Sequence, residues 1–402
     1  MLPKIHLFNP GHETAIFQGS LNYTPPTNVQ RMTRELAYLP LWYAEPEDFL
    51  FTEEISPSFY TSLPQELKPF PSILSRKDIG DKMKMPPTLE ASPWGLSPQS
   101  CHFFEKIQKS TSIHLSIPTW KNEYKQLTSR ETAVKCLEII RHILPNIIPL
   151  PAPTKICKEI KEIEKYLILQ EAPFILKTPF SSSGRGLHWL FDKTLTVKDR
   201  IWIEGAIKKQ GCITIEAALD KQQDFAMEFY SNGKGDVTYQ GLSVFGAGER
   251  GAYSGNILGS QNYLERYFLE NFGDTFQKIK EAVENSLKQI YGSNYIGYLG
   301  VDMLVYRDRQ NGDLAIHPCI EINMRYTMGM VALRISEKFL SPLAHGEMHI
   351  CYESKDGEAY EHHHFMERNY PLKIENGKIK EGYLSLCPVT KETRYRAYIL
   401  VS

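Results

Sequence analysis

The spacing of apolar positions changes period along the chain and lays out its elements. Thr128-Ser129 precede Arg130-Glu131 in a helix-start arrangement, and Val134, Leu137, Ile140 and Leu144 recur at helical spacing until Pro145 ends the pattern. Ile160, Ile163 and Leu167 mark a second, shorter helix. Phe174-Ile175-Leu176-Lys177 reads as a strand, 178–186 as a loop and 187–191 as a second strand. Residues 197–210 return to helical spacing, and 212–216 form another strand. Strands over 224–230 and 237–245 flank Ser231-Asn232-Gly233-Lys234-Gly235, a strong hairpin signal. Phe276, Ile279, Val283, Leu287 and Ile290 share one side of a long amphipathic helix. Gly300 to Tyr306 and Ala315 to Asn323 follow as two strands joined by a polar turn containing Asn311-Gly312. Hairpin-joined strands with helices laid on one face predict α+β organisation on antiparallel sheets. The amino-terminal third is rich in Pro and aromatics; Lys4 to Phe8 reads as a short buried strand closed by Asn9-Pro10-Gly11, and the region is expected to be α/β.

Composition narrows the class. The chain has 402 residues, 46 Lys+Arg against 47 Asp+Glu, and a formal net charge of −1, so no field of either sign favours nucleic acid as the main partner. Apolar residues at 42% and charged residues at 23% exclude wholesale disorder. No apolar run reaches the ~18 residues of a membrane helix, and MLPKIHLFNPGHE does not read as a signal peptide. The seven cysteines stand singly with no C-x-x-C pair, which indicates neither a zinc site nor a disulfide framework. The expectation is a cytoplasmic protein of two or three domains.

Three segments carry candidate chemistry. In FILKTPFSSSGRGLHWL, Lys177 ends a strand and is followed by Ser181, Ser182, Ser183, Gly184 and Gly186. Small residues let backbone N–H groups approach a polyanion, hydroxyls add donors, and a lysine adds a point charge. Read alone, the segment fits a polar hairpin with a solvated lysine equally well. In GVDMLVYRDRQNGDLAIHPCIEINMRYTMG, the i, i+2 spacing puts Glu321 and Asn323 on one strand face, and Asp302 can lie beside them if the hairpin pairs in register. Two carboxylates and an amide oxygen suit a hard cation such as Mg²⁺. In TIEAALDKQQDFAMEFY, Glu216 ends one strand and Asp224 opens the next. The connection fits a plain turn better than a ligand contact when read alone.

The order of these parts resembles the ATP-grasp superfamily, of the carboxylate–amine ligase type. It runs strand-Lys, small-residue loop, strand, helix, strand ending in Glu, linker with an acid, then D…E-x-N-x-R, with the motifs lying between residues 174 and 329. The resemblance implies an ATP-grasp fold, two α+β subdomains clasping ATP, preceded by an N-terminal α/β domain, with boundaries expected at 1–115, 116–218 and 219–402. It implies that Lys177 contacts the α/β-phosphates and that the loop of Ser181, Ser182, Ser183, Gly184 and Gly186 closes over the γ-phosphate. Glu216 with Ala217, Ala218 and Leu219 would meet adenine, Asp224 the ribose, and Asp302, Glu321 and Asn323 the Mg²⁺ ions, two in number, with Mn²⁺ as a substitute. Arg325 would stabilise the transferring phosphoryl group. Read from its own residues, Arg250 in the Gly-rich stretch FGAGERGAYSGNILGS suits a substrate carboxylate or phosphate, and a disordered surface loop fits the stretch equally well.

Three departures from the family pattern stand out. The second phosphate-binding base is either Arg130 or Lys135; Glu321 lies 19 positions after Asp302; and Asp224 stands where Glu is commoner. The activity so implied is ATP-dependent activation of a carboxylate as an acylphosphate for attack by an amine. A kinase acting on a hydroxyl and a non-catalytic ATP-binding module are the rival readings. Expected partners are small-molecule carboxylates and amines, with neither nucleic acid nor membrane; a homodimer is compatible with the resemblance. His12 and Glu13 follow the first strand, where α/β sheets place ligands, and a turn cap explains them as well. His362-His363-His364 is expected on an extended segment, solvated and without an acid near enough to complete a metal site.

Overall fold

Short apolar runs separated by turn-forming clusters build two kinds of sheet, one parallel and the others antiparallel. In the computed structural model the described residues are 2–79, 86–111, 113–145, 153–181, 186–247, 253–309 and 311–402. The elements begin with β1 (Lys4–Leu7), α1 (His12–Gln18), α2 (Thr27–Glu35), β2 (Phe49–Phe51), α3 (Pro57–Ser62), β3 (Ser72–Leu74), β4 (Thr88–Pro93), α4 (Pro98–Ser110) and β5 (His114–Ser116). There follow α5 (Glu123–Thr128), α6 (Arg130–Ile143), β6 (Lys155–Cys157), α7 (Ile160–Leu169), β7 (Phe174–Lys177), β8 (Leu187–Leu190), α8 (Val197–Gln210), β9 (Ile213–Ala217), β10 (Asp220–Asn232) and β11 (Val237–Ala247). The last are β12 (Tyr253–Leu258), α9 (Gln261–Phe272), α10 (Asp274–Tyr291), β13 (Ile296–Arg307), β14 (Leu314–Asn323), α11 (Met328–Phe339), β15 (Gly346–Tyr352), α12 (Glu358–Asn369), β16 (Lys373–Glu375), β17 (Lys378–Ser385) and β18 (Tyr395–Val401).

The chain divides into two compact units. One comprises Met1–Lys121, Tyr253–Leu264 and Arg325–Ser402; the other comprises Asn122–Ala252 and Glu265–Met324. The first holds a parallel sheet in the order β3-β2-β1-β4-β5, whose strand order reverses at β1. It also holds antiparallel strands in the order β12-β15-β18-β17-β16. Its larger core gathers Trp42, Phe70, Val331, Phe339 and Ile399. The Trp42 indole N–H donates to the Leu386 carbonyl at 2.8 Å, so the buried ring keeps no unpaired donor.

The second unit holds two antiparallel sheets. The smaller runs β6-β9-β7-β8 and buries Phe174, Leu176, Ile213 and Ile215 against Ile163 and Leu167 of α7 and Ile203 of α8. The larger includes β14, β13, β10 and β11. The stripe Phe276, Ile279, Val283, Leu287 and Ile290 of α10 is buried, as its spacing predicts. A helix starts at Arg130 because Ser129, in extended conformation, accepts the Glu131 N–H on its hydroxyl.

The histidine triplet differs from expectation: it lies on helix α12, not on an extended segment. Gly357 enters that helix in the left-handed region, acidic Glu358 and Glu361 occupy the first turn, and Ala359 and Met366 are buried. Among the described residues, no helix is long and apolar enough to cross a membrane.

Candidate active site

The phosphate-loop segment is a hairpin anchored at its root. Lys177 closes β7, opposite Leu187 of β8 and Thr214 of β9. The Thr178 N–H donates to the Gly186 carbonyl at 3.0 Å and carries the ladder one step beyond the strand. A Cβ on Gly186 would lie 2.2 Å from Thr178 Oγ1 and 2.4 Å from Ser181 Oγ, so a side chain there would displace both hydroxyls. Ser182, Ser183, Gly184 and Arg250 lie outside the described residues.

Arg130 is the hub of this root. Its backbone N–H donates to the Pro179 carbonyl, and its Nη1 donates to the Thr178 carbonyl at 2.7 Å and to Ser181 Oγ at 2.6 Å. Nη2 donates to Glu321 Oε2 at 2.9 Å. A cation in the first turn of a helix works against the helix dipole, and the carboxylate and carbonyls on Arg130 offset that cost. Lys135, the other candidate base, is exposed. Gln210, at the end of α8, brackets Phe180 by accepting its N–H at 2.9 Å and donating to its carbonyl at 3.1 Å.

Lys177 is buried and ion-paired with Glu216, whose other oxygen accepts from Thr154 Oγ1 at 3.0 Å. Burial alone would raise the Glu216 pKa. The charge of Lys177 and the hydrogen bonds from Lys177 and Thr154 outweigh it, holding the carboxyl below its ordinary value. Burial pushes His317 down to about 4, so the imidazole beside this pair is neutral at pH 7. Its Nδ1 accepts the Cys319 N–H at 3.3 Å. Arg130, Thr154, Lys177, Thr214, Glu216 and Cys319 line one recess with the apolar side chains of α6.

On the larger sheet, Asp302 stands directly opposite Glu321, and Asn323 is two residues along the same strand. Opposite residues in an antiparallel pair project to one face, as do i and i+2. The three oxygens therefore share a face, and the register breaks by a bulge immediately after Asp302.

The remaining positions fall differently from the simplest reading. The strand begins at Asp220, so Asp224 lies inside β10, where Lys221 Nζ pairs with it at 2.6 Å. Only Ala218 and Leu219 separate β9 from β10, and the Ala218 N–H is taken by the Pro173 carbonyl at 2.8 Å. Arg325 lies in the first unit, its Nε 2.8 Å from Glu13 Oε1. Glu13 and His12 are buried in the first turn of α1, so neither acts as an exposed cap. Gly95 packs on the His12 ring, where a Cβ would come within 2.1 Å. Asn9 fixes Gly95 by donating to its carbonyl at 2.7 Å and accepting its N–H at 3.1 Å.

Sequence reasoning missed Gln210, Thr154 and His317. Each contributes through a contact far along the chain, and only the helix-start signal at Ser129 hinted that Arg130 would sit at an element's end.

A small antiparallel sheet carrying a lysine at the root of a hairpin loop, with a second antiparallel sheet bearing paired acids and a preceding parallel α/β sheet, is the ATP-grasp fold. Biotin carboxylase from Campylobacter jejuni, solved as a beta-gamma-ATP complex, is similar in structure at TM-score 0.51 and 14% identity, over 99% of this chain and 87% of that one. N5-carboxyaminoimidazole synthetase from Staphylococcus aureus, complexed with ADP, aligns at TM-score 0.48 and 14% identity, over 100% of this chain and 93% of that one. No family model matches the chain, and no curated protein matches it.

Proposed function

We propose that this protein is a cytoplasmic ATP-dependent ligase that activates the carboxylate of a small molecule or peptide as an acylphosphate, which an amine then attacks. The observation that carries the reading is the cross-strand pair Asp302–Glu321 with Asn323 on the same face, in the unit whose β7 ends in Lys177. The fold supports it.

The donor set fits Mg²⁺: two carboxylates and an amide oxygen are hard ligands. A guanidinium drawn to Glu321 marks a place where positive charge is stabilised. Asp302, Glu321 and Asn323 would hold the metal, two ions with Mn²⁺ as a substitute, and it would supply neutralisation of phosphate-oxygen charge. Lys177 offers a point charge to the α/β-phosphates, and Arg130, not exposed Lys135, serves as the second phosphate-binding base. Glu216 orients Lys177 and, with Ala217 to Leu219, borders the adenine; Asp224 faces the ribose. The loop from Ser181 to Gly186, anchored by Arg130 and Gln210, closes over the γ-phosphate and keeps water from the acylphosphate. Arg250 holds the substrate anion. Phosphoryl transfer needs this alignment and charge dispersal without a protein nucleophile.

The test is ADP release from MgATP with pooled amino acids and small carboxylic acids, run with and without hydroxylamine. Acid-dependent ADP release with hydroxamate formation is expected. A stable phosphorylated alcohol, or nucleotide binding without turnover, overturns the reading.

A further inference from the structure

Helix α12 brings together three side chains that no step of the proposed reaction uses. His363 Nε2 lies 3.5 Å from Glu367 Oε1, and His364 Nδ1 lies 2.9 Å from Glu367 Oε2. One ligand atom from each residue falls within 4.8 Å of the others. A tetrahedral ion with bonds of ~2.0–2.1 Å holds neighbouring ligand atoms about 3.3 Å apart, and each imidazole nitrogen lies near that distance from one of the two oxygens of Glu367. We propose that His363, His364 and Glu367 form a binding site for a borderline divalent cation, Zn²⁺ foremost.

The chemistry of the set selects the ion. Two imidazole nitrogens and one carboxylate favour Zn²⁺ and its later first-row neighbours over Mg²⁺ or Ca²⁺, which prefer all-oxygen shells. A buried partner fixes one ligand: the Tyr383 hydroxyl of β17 lies 2.8 Å from His363 Nδ1. With the Nδ1 proton donated to that oxygen, Nε2 presents its lone pair towards Glu367, the arrangement in which outer hydrogen bonds orient metal-bound histidines. His362 is excluded from the set because its Nδ1 faces Arg396 Nη1 at 2.7 Å. The side chains of His364 and Glu367 are 44% and 49% exposed, which gives an ion access and leaves its fourth position to water.

The test is calorimetric titration of the full chain with ZnCl₂ in metal-free buffer containing excess Mg²⁺, so that hard-cation sites are filled. One Zn²⁺ equivalent is expected. His364→Ala and Glu367→Gln should each weaken it at least about tenfold, and Tyr383→Phe, which removes only the supporting hydroxyl, by about tenfold. His362→Ala should leave the isotherm unchanged, with circular dichroism checking that each variant keeps its helix content. Absence of binding by the native chain, or unchanged affinity in both His364→Ala and Glu367→Gln, overturns the proposal.

Discussion

Each unit buries an imidazole beside a carboxylate–cation pair, and the two arrangements do different things. In one, His317 adjoins Glu216 and Lys177; in the other, His12 adjoins Glu13 and Arg325. Burial drives both rings to about 4. The His317 ring accepts a backbone N–H, and the neighbouring Lys177–Glu216 pair lines a small recess. The His12 ring has no hydrogen bond at either nitrogen among the described residues, and the Gly95 backbone is packed against it. The same three kinds of group thus line a small recess beside the end of β7 in one unit, and in the other make a packed joint where a glycine is pressed against the ring.

The largest expected effect separates the two regions by what is lost. Glu321→Ala removes a proposed metal ligand and the carboxylate partner of Arg130, and ADP release should fall at least a thousandfold, ~4 kcal/mol of transition-state stabilisation. Glu13→Ala instead takes the carboxylate from Arg325 and should cost about 2–3 kcal/mol of folding stability, read by urea denaturation. The contrast fails if Glu321→Ala loses stability while keeping turnover.

Acid should expose what the units share. Well above pH 6.5 both histidines are neutral, folded or unfolded. As pH falls from 6.5 towards 4 the unfolded chain takes up protons that the native rings refuse, so stability drops, by roughly 3 kcal/mol per histidine at pH 4. Glu13 and Glu216, held below their ordinary 4.5, stabilise the fold above that pH and lose the contribution as acid protonates them. His317→Asn, which keeps an acceptor near the Nδ1 position, should flatten the slope of urea midpoint against pH; an unaltered slope would assign the acid sensitivity elsewhere.

The smallest effects compare two glycines. Gly95→Ala forces a methyl into the buried His12 ring and should cost about 1–3 kcal/mol of stability. Gly186→Ala meets the side chains of Thr178 and Ser181 at the root of a loop. Its melting temperature should change little while ATP affinity, measured by calorimetry, weakens about tenfold, ~1.4 kcal/mol. Equal stability losses in both variants would erase the distinction.

Much of the second unit was legible because its signals are local. The α10 stripe, the Ser231–Gly235 turn and the cap at Ser129 each depend on neighbours within a few residues. The Asp302–Glu321–Asn323 face was readable because strand alternation fixes it once the hairpin pairs in register. The histidine triplet was misread because a polar helix with few apolar positions gives almost no periodic signal, and Glu367 comes into reach only when the segment coils.

What the chain dictates alone is therefore the run of helices and strands in its middle, the strand face that carries Asp302, Glu321 and Asn323, and an order of motifs that resembles the ATP-grasp pattern. Packing decided which of two basic residues meets Glu321, which carboxylate grips Lys177, and why Gly95 has no side chain. Those choices join residues as far apart as Arg130 and Glu321, or Glu13 and Arg325. Periodicity encodes the face a residue occupies, and it carries no information about which distant face will be laid against it.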